Sequence, residues 1–464
     1  MERPLTTLES SRPVSPRLWS RGFVALLITQ FMVALNDNIF RWLIIPIGKW
    51  AIGWSDKQDL IRMIGSLMFV APFMLLACYA GYVCDRFNRR NVLIWCKIAE
   101  LLIMVVGTVA ILSKSVPFML VTLFLMASQS TFFSPAKYGS LPNLVPEERI
   151  SEANGFISMT TMIACIAGTA IGGVLFALTT LNHEHPAEGT GGEHHWWIWA
   201  GTIIGVAVIG LISSLYVPSI AAADPKARFP RNPFSRTADD LLFLFSDKFL
   251  CSIALLSSFF WGFGALAQVN IDKYASEYLR VPQECVAILV IALSLGLALG
   301  ALLAGQLSRG RIVLKLVPIG TLFIVLFSAA LFFTPTVLVP EGKEVASCFT
   351  KGFFFASGGL FLLGISAGLY DVPLLATLQT KSPEEHRGRI LAAYNFCSFA
   401  AMAIFSVVQG FLASPPGFKE RGLSATHIWA LCAILTLPIL VYTTKSFLSF
   451  SHDRAKGETQ NESI

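Results

Sequence analysis

The chain has 464 residues, of which 54% are apolar and only 14% charged, with a mean hydropathy of +0.64. Soluble globular proteins carry roughly 25% charged residues, so this composition excludes a soluble domain and indicates a polytopic membrane protein. The net charge of +6 is small for this length and comes from Lys and Arg in the polar loops, so we expect no nucleic-acid partner.

Twelve apolar segments follow one another along the chain, and a membrane-spanning helix needs about 20 residues. They lie at 22–48, 61–84, 91–112, 117–138, 152–180, 196–217, 250–271, 284–307, 312–334, 354–379, 390–413 and 426–449. We therefore predict an all-α membrane protein with 12 transmembrane helices. The nine cysteines stand singly, mostly inside these segments, which favours free thiols that behave as small hydrophobes.

Lys and Arg are distributed unevenly between the two sides of the predicted spans. The side that holds both termini carries 23 of the 35, the opposite loops carry 10, and Arg41 and Lys97 fall inside spans. Because cytoplasmic loops are enriched in Lys and Arg, both termini are predicted to be cytoplasmic.

The longest polar break on that side divides the spans six and six. We predict a cytoplasmic N-terminal tail, a six-helix half, a cytoplasmic linker, a second six-helix half and a cytoplasmic C-terminal tail, at 1–21, 22–217, 218–249, 250–450 and 451–464. Within the linker, residues 239–245 favour a short amphipathic helix along the membrane surface. The outer loop 182–195 holds four of the seven His, and we expect a solvated loop there rather than a metal site.

An internal repeat supports two pseudo-symmetric halves. After span four, a Pro-Glu-Glu turn at 146–148 precedes Asn154, and after span ten the same turn at 383–385 precedes Asn395. Two six-helix halves are a known transporter architecture.

The first span carries a polar patch near its middle, formed by Asn36, Asp37, Asn38 and Arg41. An ionised group at that depth costs about 2.5–3.5 kcal/mol on insertion scales unless it is paired or faces water. In one interpretation Asp37 and Arg41, one helical turn apart, simply neutralise each other. We favour a central polar cavity, because Asn36 and Asn38 flank the Asp on different faces and widen the polar zone beyond the needs of one salt bridge.

Other polar and aromatic residues extend the predicted cavity. Lys137 ends span four, and span seven carries Gln268 and Asn270 after the aromatic residues Phe260 and Trp261. We assign these five residues to substrate binding together with the patch in span one.

Three further charges and two pairs of glycines lie within spans. Lys97 and Glu100, at i and i+3, are interpreted as a local pair, and Asp371 is a further intramembrane charge. The glycines at 168 and 172 and at 296 and 300 permit close helix packing. Static packing and helices that slide when the halves move both remain open.

The loop after span two is predicted to form a cytoplasmic gate. Residues 81–90 resemble the loop signature of the major facilitator superfamily, Gly-x-x-x-Asp-Arg-x-Gly-Arg-Arg, with Asn88 in place of the second Gly. The small residue permits close helix approach, and the Asp can sit at a neighbouring helix N-terminus while the Arg side chains pair across the loop. The predicted gating residues are Gly81, Asp85, Arg86, Arg89 and Arg90.

Four strings together carry a more specific resemblance, which covers essentially the whole chain. They are Asn-Asp-Asn at 36–38, Ser-Pro-Ala-Lys-Tyr-Gly at 134–139, Phe-Trp-Gly at 260–262, and Val-Pro-Leu at 372–374 with the stretch 382–389. They are similar to the bacterial lysophospholipid transporter family, a branch of the major facilitator superfamily. By this resemblance, Asp37 and Lys137 match charged residues of the family's central cavity. Some members have an Arg in span seven where Gln268 stands here, so any phosphate-binding charge falls to Arg41 or Lys137.

The resemblance implies a major facilitator fold and transport of lysophospholipid, lysophosphatidylethanolamine above all, from the outer to the inner leaflet of the bacterial inner membrane. Lys137 and Arg41 would attract the phosphate, Asp37 would face the ammonium, and Phe260 and Trp261 would line the acyl chain. The expected partners are the lipid substrate and membrane lipid, with a coupling ion and a separately encoded acyltransferase left open. We expect no enzymatic activity, no fused enzyme and no cofactor.

Two alternatives remain open. The first is a proton-coupled transporter or exporter of another small amphiphile, a drug or siderophore, with Asp37 as the proton carrier. The second is a membrane scaffold for a separate acyltransferase, against which the intramembrane charges argue.

Overall fold

The computed structural model describes residues 17–52, 58–113, 115–180, 196–230, 232–308, 311–335, 350–413 and 423–461, so the His-rich loop and most of the N-terminal tail lie outside the described residues. Within these ranges the chain folds into α-helices joined by short turns. The helices are α1 (Arg21–Ile52), α2 (Gln58–Leu75), α3 (Ala77–Arg86), α4 (Arg89–Leu112), α5 (Val116–Leu144), α6 (Ile150–Thr180), α7 (Trp196–Ser214), α8 (Pro233–Ser246), α9 (Lys248–Lys273), α10 (Gln283–Leu307), α11 (Leu316–Phe332), α12 (Lys351–Lys381), α13 (Arg387–Ala413) and α14 (Ala425–Asn461).

Each predicted apolar segment corresponds to a helix or to a pair of helices. In the described part of the chain, ten helices are long and apolar enough to cross a membrane, and the number rises to eleven if the bent pair α2 and α3 is counted as one span. This pair bends by 53° at Leu76, one turn after Pro72, and a proline inside a helix is the usual cause of such a break. Helix α11 has 17 residues and is shorter than the other candidates. The exact count of twelve spans therefore stays a prediction.

The helices form two bundles, α1–α7 and α9–α14, which meet where α6 packs on α10 and α3 packs on α13. The glycine pairs lie inside the bundles rather than between them. A Cβ at Gly168 would come within 2.7 Å of a backbone oxygen of α1, and one at Gly300 within 2.1 Å of a backbone oxygen of α12. Their observed role is therefore close packing within each half, as small residues allow in lipid.

The two copies of the internal repeat adopt the same structure. Each Pro-Glu-Glu turn forms a short 3₁₀ helix, Glu147–Arg149 in the first half and Glu384–His386 in the second. Both repeat asparagines reach across to the other half. Asn154 on α6 exchanges two amide hydrogen bonds with Gln379 on α12 (2.8 and 3.0 Å), and Asn395 on α13 donates to Ser134 on α5 (2.9 Å). The repeat thus marks where the two bundles bind each other.

Two features of the connections refine the sequence analysis. The amphipathic segment predicted at 239–245 belongs to a longer helix, α8, which buries Asp240 and leaves Leu242 exposed. Cys285, in the first turn of α10, is disulfide-bonded, so the interpretation of every cysteine as a free thiol is wrong at this position. The other seven cysteines of the described residues are free. Spacing along the chain gave no signal for this bond, because nothing near Cys285 in sequence forms a Cys-x-x-Cys pair.

Candidate functional site: a central polar cavity and its inner gate

Asp37 lies near the middle of α1 and faces α5. Its Oδ2 accepts a hydrogen bond from Ser130 Oγ (3.2 Å), and its Oδ1 has no hydrogen-bond partner in the described part of the chain. Arg41 is exposed and lies over the ring of Phe69, with 5.2 Å from Cζ to the centroid. None of the ion pairs among the described residues joins Asp37 to Arg41. Asp37 and Arg41 therefore form no direct ion pair in the part of the chain that the structure describes.

Asn36 and Asn38 contact neighbouring helices on either side of Asp37. Asn36 is fully buried and donates to Glu100 Oε1 on α4 and to the carbonyl of Ile203 on α7, both at 3.2 Å. Asn38 donates to the carbonyl of Ala34 (2.8 Å) and to Cys165 Sγ on α6 (3.2 Å). Both amides thus hold α1 within its own bundle.

The predicted local pair in span three is confirmed. Lys97 Nζ lies 2.5 Å from Glu100 Oε2, and both side chains are buried. The two charges that α4 brings into the membrane-spanning region therefore pair with each other, and Glu100 also accepts a hydrogen bond from the amide of Asn36. A buried pair of this kind is structural, because neither charge is free to meet a ligand.

Lys137 brings a cation to the interior of the bundle. Its Nζ lies 4.3 Å from the ring centroid of Tyr138 and 5.9 Å from that of Phe133. The hydrogen bonds and ion pairs found among the described residues do not include this ammonium group. Along α5, Lys137 stands two turns beyond Ser130 toward the end of the bundle at which α3 meets α13, so it lies about 10 Å deeper than Asp37 at a rise of 1.5 Å per residue. We call that end of the bundle the inner end.

Asp371 on α12 is the site residue that the substrate-binding assignment omitted. It is only 6% exposed, and its Oδ1 accepts a hydrogen bond of 2.5 Å from Ser257 Oγ on α9. The Ser257 hydroxyl lies 3.0 Å from that of Tyr394, which also accepts from Trp261 Nε1 at 3.0 Å. The signal in the sequence was a carboxylate inside an apolar span with no basic residue within one turn.

The residues assigned in span seven divide into two groups. Phe260 and Trp261 line a small cavity together with Asp371. Asn270 is buried beyond the site, where its Nδ2 donates to the carbonyl of Ala425 at the start of α14 (3.0 Å). Gln268 is exposed, two turns beyond Trp261. The structure therefore places the aromatic pair, rather than the two amides, in the lining of the cavity with Asp371.

At the inner end, Asp85 on α3 binds the first turn of α13. Its carboxylate accepts hydrogen bonds from the backbone N–H groups of Gly388 (2.8 Å) and Arg389 (3.0 Å). An anion at a helix N-terminus satisfies free N–H groups and interacts favourably with the helix dipole, as the loop signature predicted. Gly81 allows this approach, because a Cβ there would lie 3.1 Å from Arg389 Cα and 3.2 Å from the Cβ of Ala392.

The three arginines of the signature have different partners. Arg89 is buried and donates to the carbonyl of Gly139 (3.0 Å) and to the side chain of Asn143 (3.1 Å), both on α5. Arg86 instead donates to the carbonyl of Ala227, inside the linker, and Arg90 donates to the carbonyl of Leu215, just before the linker (both 2.9 Å). They fasten the linker to the first half.

Asn88 replaces the second glycine of the superfamily signature and has a specific role here. It caps the N-terminus of α4, since its Oδ1 accepts from the N–H of Arg90 (3.0 Å). Its Nδ2 donates to Ser219 Oγ (2.7 Å), which adds another bond between this loop and the linker. A glycine could provide neither contact.

Helix α8 of the linker binds the same turn of α13 from the other side. Asp240 Oδ1 accepts from Arg389 through Nε (2.8 Å) and Nη2 (2.7 Å), and the Arg389 guanidinium lies 5.2 Å from the ring centroid of Phe243. Burial raises the pKa of the Asp240 carboxyl above its ordinary value, and the charge of Arg389 acts against that rise. Arg389 is thus held by the first half through its backbone and by the linker through its side chain.

The comparisons with known proteins agree with this fold. The sequence profile of the Major Facilitator Superfamily matches residues 26–406, and the chain belongs to this superfamily. Its structure is similar to that of a bacterial homologue of the iron transporter ferroportin in an outward-facing state (TM-score 0.65, 13% identity, 92% of this chain and 100% of the other). It is also similar to the human organic anion transporter MFSD10 (TETRAN) (TM-score 0.68, 13% identity, 90% and 99%). At this identity the likeness supports the fold.

Curated relatives confirm the more specific resemblance seen in the residues. The chain is 25% identical over 397 residues to the lysophospholipid transporter LplT of Serratia proteamaculans, covering 84% of this chain and 88% of the relative. It is 25% identical over 427 residues to LplT of Escherichia coli O1:K1 / APEC, covering 89% and 96%. This protein is therefore a multi-pass membrane transporter similar to the lysophospholipid transporters.

Proposed function

We propose that the protein is an alternating-access secondary transporter that moves lysophospholipid, with lysophosphatidylethanolamine as the first candidate, from the outer to the inner leaflet of the bacterial inner membrane. The observation that carries the proposal is a pair of opposite charges in the central region. Asp37 and Lys137 both lie within spans, and the ion pairs of the described residues include neither of them. Charges kept at such a depth are expensive unless a polar ligand or water meets them.

The headgroup chemistry fits these charges. Arg41 and, about 10 Å deeper, Lys137 attract the phosphate, and Asp37 faces the ammonium at the outer level of the cavity. The aromatic residues Phe260 and Trp261 provide wall for the single acyl chain. The names of the curated relatives support this substrate class, and a separately encoded acyltransferase and a coupling ion are proposed as further partners.

The direction of transport rests on the orientation of the chain in the membrane. The excess of Lys and Arg on the side of the termini supports cytoplasmic termini. Cys285 supports the same orientation, because it lies at the opposite end of α10 from Gly305, which packs against the inner end of α6. Disulfides persist in oxidising compartments such as the bacterial periplasm.

The double variant Asp37→Asn with Lys137→Gln tests the site. We expect uptake of labelled lysophosphatidylethanolamine to fall by about tenfold or more, because charge-assisted contacts contribute about 1.5–3 kcal/mol each. Lys248→Gln, at the exposed start of α9, is the matched control and should keep wild-type uptake.

Three outcomes would contradict the proposal. Unchanged uptake by a correctly folded double variant would show that these charges do not bind the lipid. Wild-type transport of another amphiphile with which lysophospholipid does not compete would favour the proton-coupled carrier. Co-purification of an acyltransferase that works equally well with the double variant and with the Lys248→Gln control would favour the membrane scaffold.

A further inference from the structure

The carboxylate of Asp371 faces a small cavity with aromatic walls. The cavity has a volume of about 40 Å³, and Tyr138, Phe260 and Trp261 line it together with this carboxylate. A water needs about 10–15 Å³ on the same measure, so the space admits one small polar group or a few waters. Aromatic faces and a carboxylate together favour a cation.

No basic side chain faces Asp371 among the described residues that surround it. Helices α6 and α10 contribute hydroxyl and apolar side chains, α9 contributes Ser257 and the two aromatic residues, and α13 contributes Tyr394. The residues that α6 and α10 place around the cavity are Ser158, Thr161, Met162, Leu297 and Ala301. The hydroxyl of Ser257 satisfies only one oxygen of the carboxylate. The charge of Asp371 is therefore available to a cation that comes from outside the protein.

Lys137, a cation on the other bundle, is connected to the cavity of Asp371 through its neighbour Tyr138. Lys137 Nζ lies 4.3 Å from the ring centroid of Tyr138, and Tyr138 lines the cavity together with Asp371. Lys137 and Asp371 thus lie at one level of the protein, whereas Asp37 beside Ser130 lies about 10 Å closer to the outer end. A zwitterion whose phosphate reaches Lys137 meets Asp371 rather than Asp37.

We propose that Asp371, with the rings of Tyr138, Phe260 and Trp261, forms a subsite for a primary ammonium group, the cationic part of an ethanolamine headgroup. This inference rests on the proposed function and extends it from substrate class to headgroup recognition. When the lipid phosphate is on Lys137, the ammonium enters the 40 Å³ cavity and binds the free oxygen of Asp371. Asp37 serves the outer level, and Asp371 serves the inner level.

This subsite joins the two halves through the substrate. Lys137 belongs to the first bundle and Asp371 to the second, so one zwitterionic headgroup bridges them. A ligand that contacts both halves binds better to the conformation that brings them together, and it shifts the equilibrium by that difference in affinity. A lipid with the same phosphate but no ammonium lacks the contact with the second half.

The test compares two lipids in one variant. Uptake of labelled lysophosphatidylethanolamine and lysophosphatidylglycerol with the same acyl chain is measured in proteoliposomes for wild type, Asp371→Asn and Asp371→Glu. Asp371→Asn should lower uptake of the ethanolamine lipid by about tenfold or more, because a charge-assisted contact is lost, and should leave the glycerol lipid within about twofold. The ratio of uptake of the two lipids by one variant does not depend on the amount of folded protein. Asp371→Glu keeps the charge but fills part of the cavity, so it should also lower uptake of the ethanolamine lipid more than uptake of the glycerol lipid.

Each other result has a definite meaning. Equal loss of both lipids in Asp371→Asn and Asp371→Glu would overturn the inference and assign Asp371 to structure or to proton transfer. Unchanged uptake of the ethanolamine lipid would overturn it as well. Failure of the wild type to transport either lipid would contradict the proposed function itself, which separates the two claims. Asp239→Asn, an exposed carboxylate on α8, controls for the change in charge and should transport both lipids like wild type.

Discussion

Gly388 is the position at which the closed inner end leaves the least space for a side chain. An ideal Cβ there would lie 2.4 Å from Asp85 Oδ1 and 3.0 Å from the Cβ of Cys84. Non-bonded heavy atoms need about 3.5 Å, so Gly388→Ala requires a movement of roughly 1 Å by the Asp85 carboxylate or by the first turn of α13. That movement breaks the short hydrogen bonds that the N–H groups of Gly388 and Arg389 donate to Asp85.

The magnitude follows from the cost of overpacking. An extra methyl group in a tightly packed contact costs about 1–3 kcal/mol. In the proposed alternating-access cycle this contact exists only when the inner end is closed, so about 2 kcal/mol of this cost shifts the equilibrium toward the open inner end by roughly 30-fold. Gly410→Ala, on the same helix, meets nothing within 4 Å and should shift nothing.

Alkylation of Cys84 measures this shift. The thiol is fully buried under the first turn of α13, so a maleimide reaches it only when the inner end opens. Peptide mapping after labelling of inside-out vesicles should show a rate at least about tenfold higher in Gly388→Ala than in wild type. Gly410→Ala should label like wild type. Equal rates in the two variants would refute the interpretation of this contact as a gate.

Two further predictions concern packing within the bundles. Gly300→Ala should lower the thermal stability of the purified protein, because its Cβ would lie 2.1 Å from a backbone oxygen of α12, whereas Gly264→Ala meets no atom within 4 Å and should leave it unchanged. Lys97→Met should destabilise the protein by about 3–5 kcal/mol, because Glu100 is left as an unpaired buried charge. Adding Glu100→Gln should restore most of that loss in the same thermal assay, and a double variant no more stable than the single would contradict the pairing.

Patterns confined to one helix or one loop predicted much of this structure. Hydropathy placed the helices, because a span must be apolar over its whole length. The i, i+3 spacing predicted the pair Lys97 and Glu100, and the loop signature predicted the position of Asp85 at a helix N-terminus. In each case, the partners are neighbours in sequence or belong to a recurrent motif.

The arrangement of the cavity depended on contacts that no single segment contains. Asn36 and Asn270 are polar residues inside spans like Asp37, but other helices supply the carbonyl or carboxylate that satisfies each amide. Asp371 shows the reverse case. Its surroundings come from five other helices, α5, α6, α9, α10 and α13, so its sequence neighbours gave no measure of its importance.

The linker shows a third limit of sequence reasoning. Its amphipathic pattern predicted a helix, yet the buried carboxylate of Asp240 faces Arg389, about 150 residues away in the chain. Burial of one face against protein and burial against a membrane surface produce the same pattern. Only the packed structure shows that α8 binds the first turn of α13.

The central claim is that this protein transports lysophospholipid, and uptake of labelled lysophosphatidylethanolamine tests it most directly. Spheroplasts that lack their own importer would carry wild type, Asp37→Asn or an empty vector. The account predicts uptake by the wild type well above the vector and loss of that uptake in the correctly folded variant. Uptake no higher than the vector, with the wild type folded in the membrane, would contradict the claim and leave the fold unchanged.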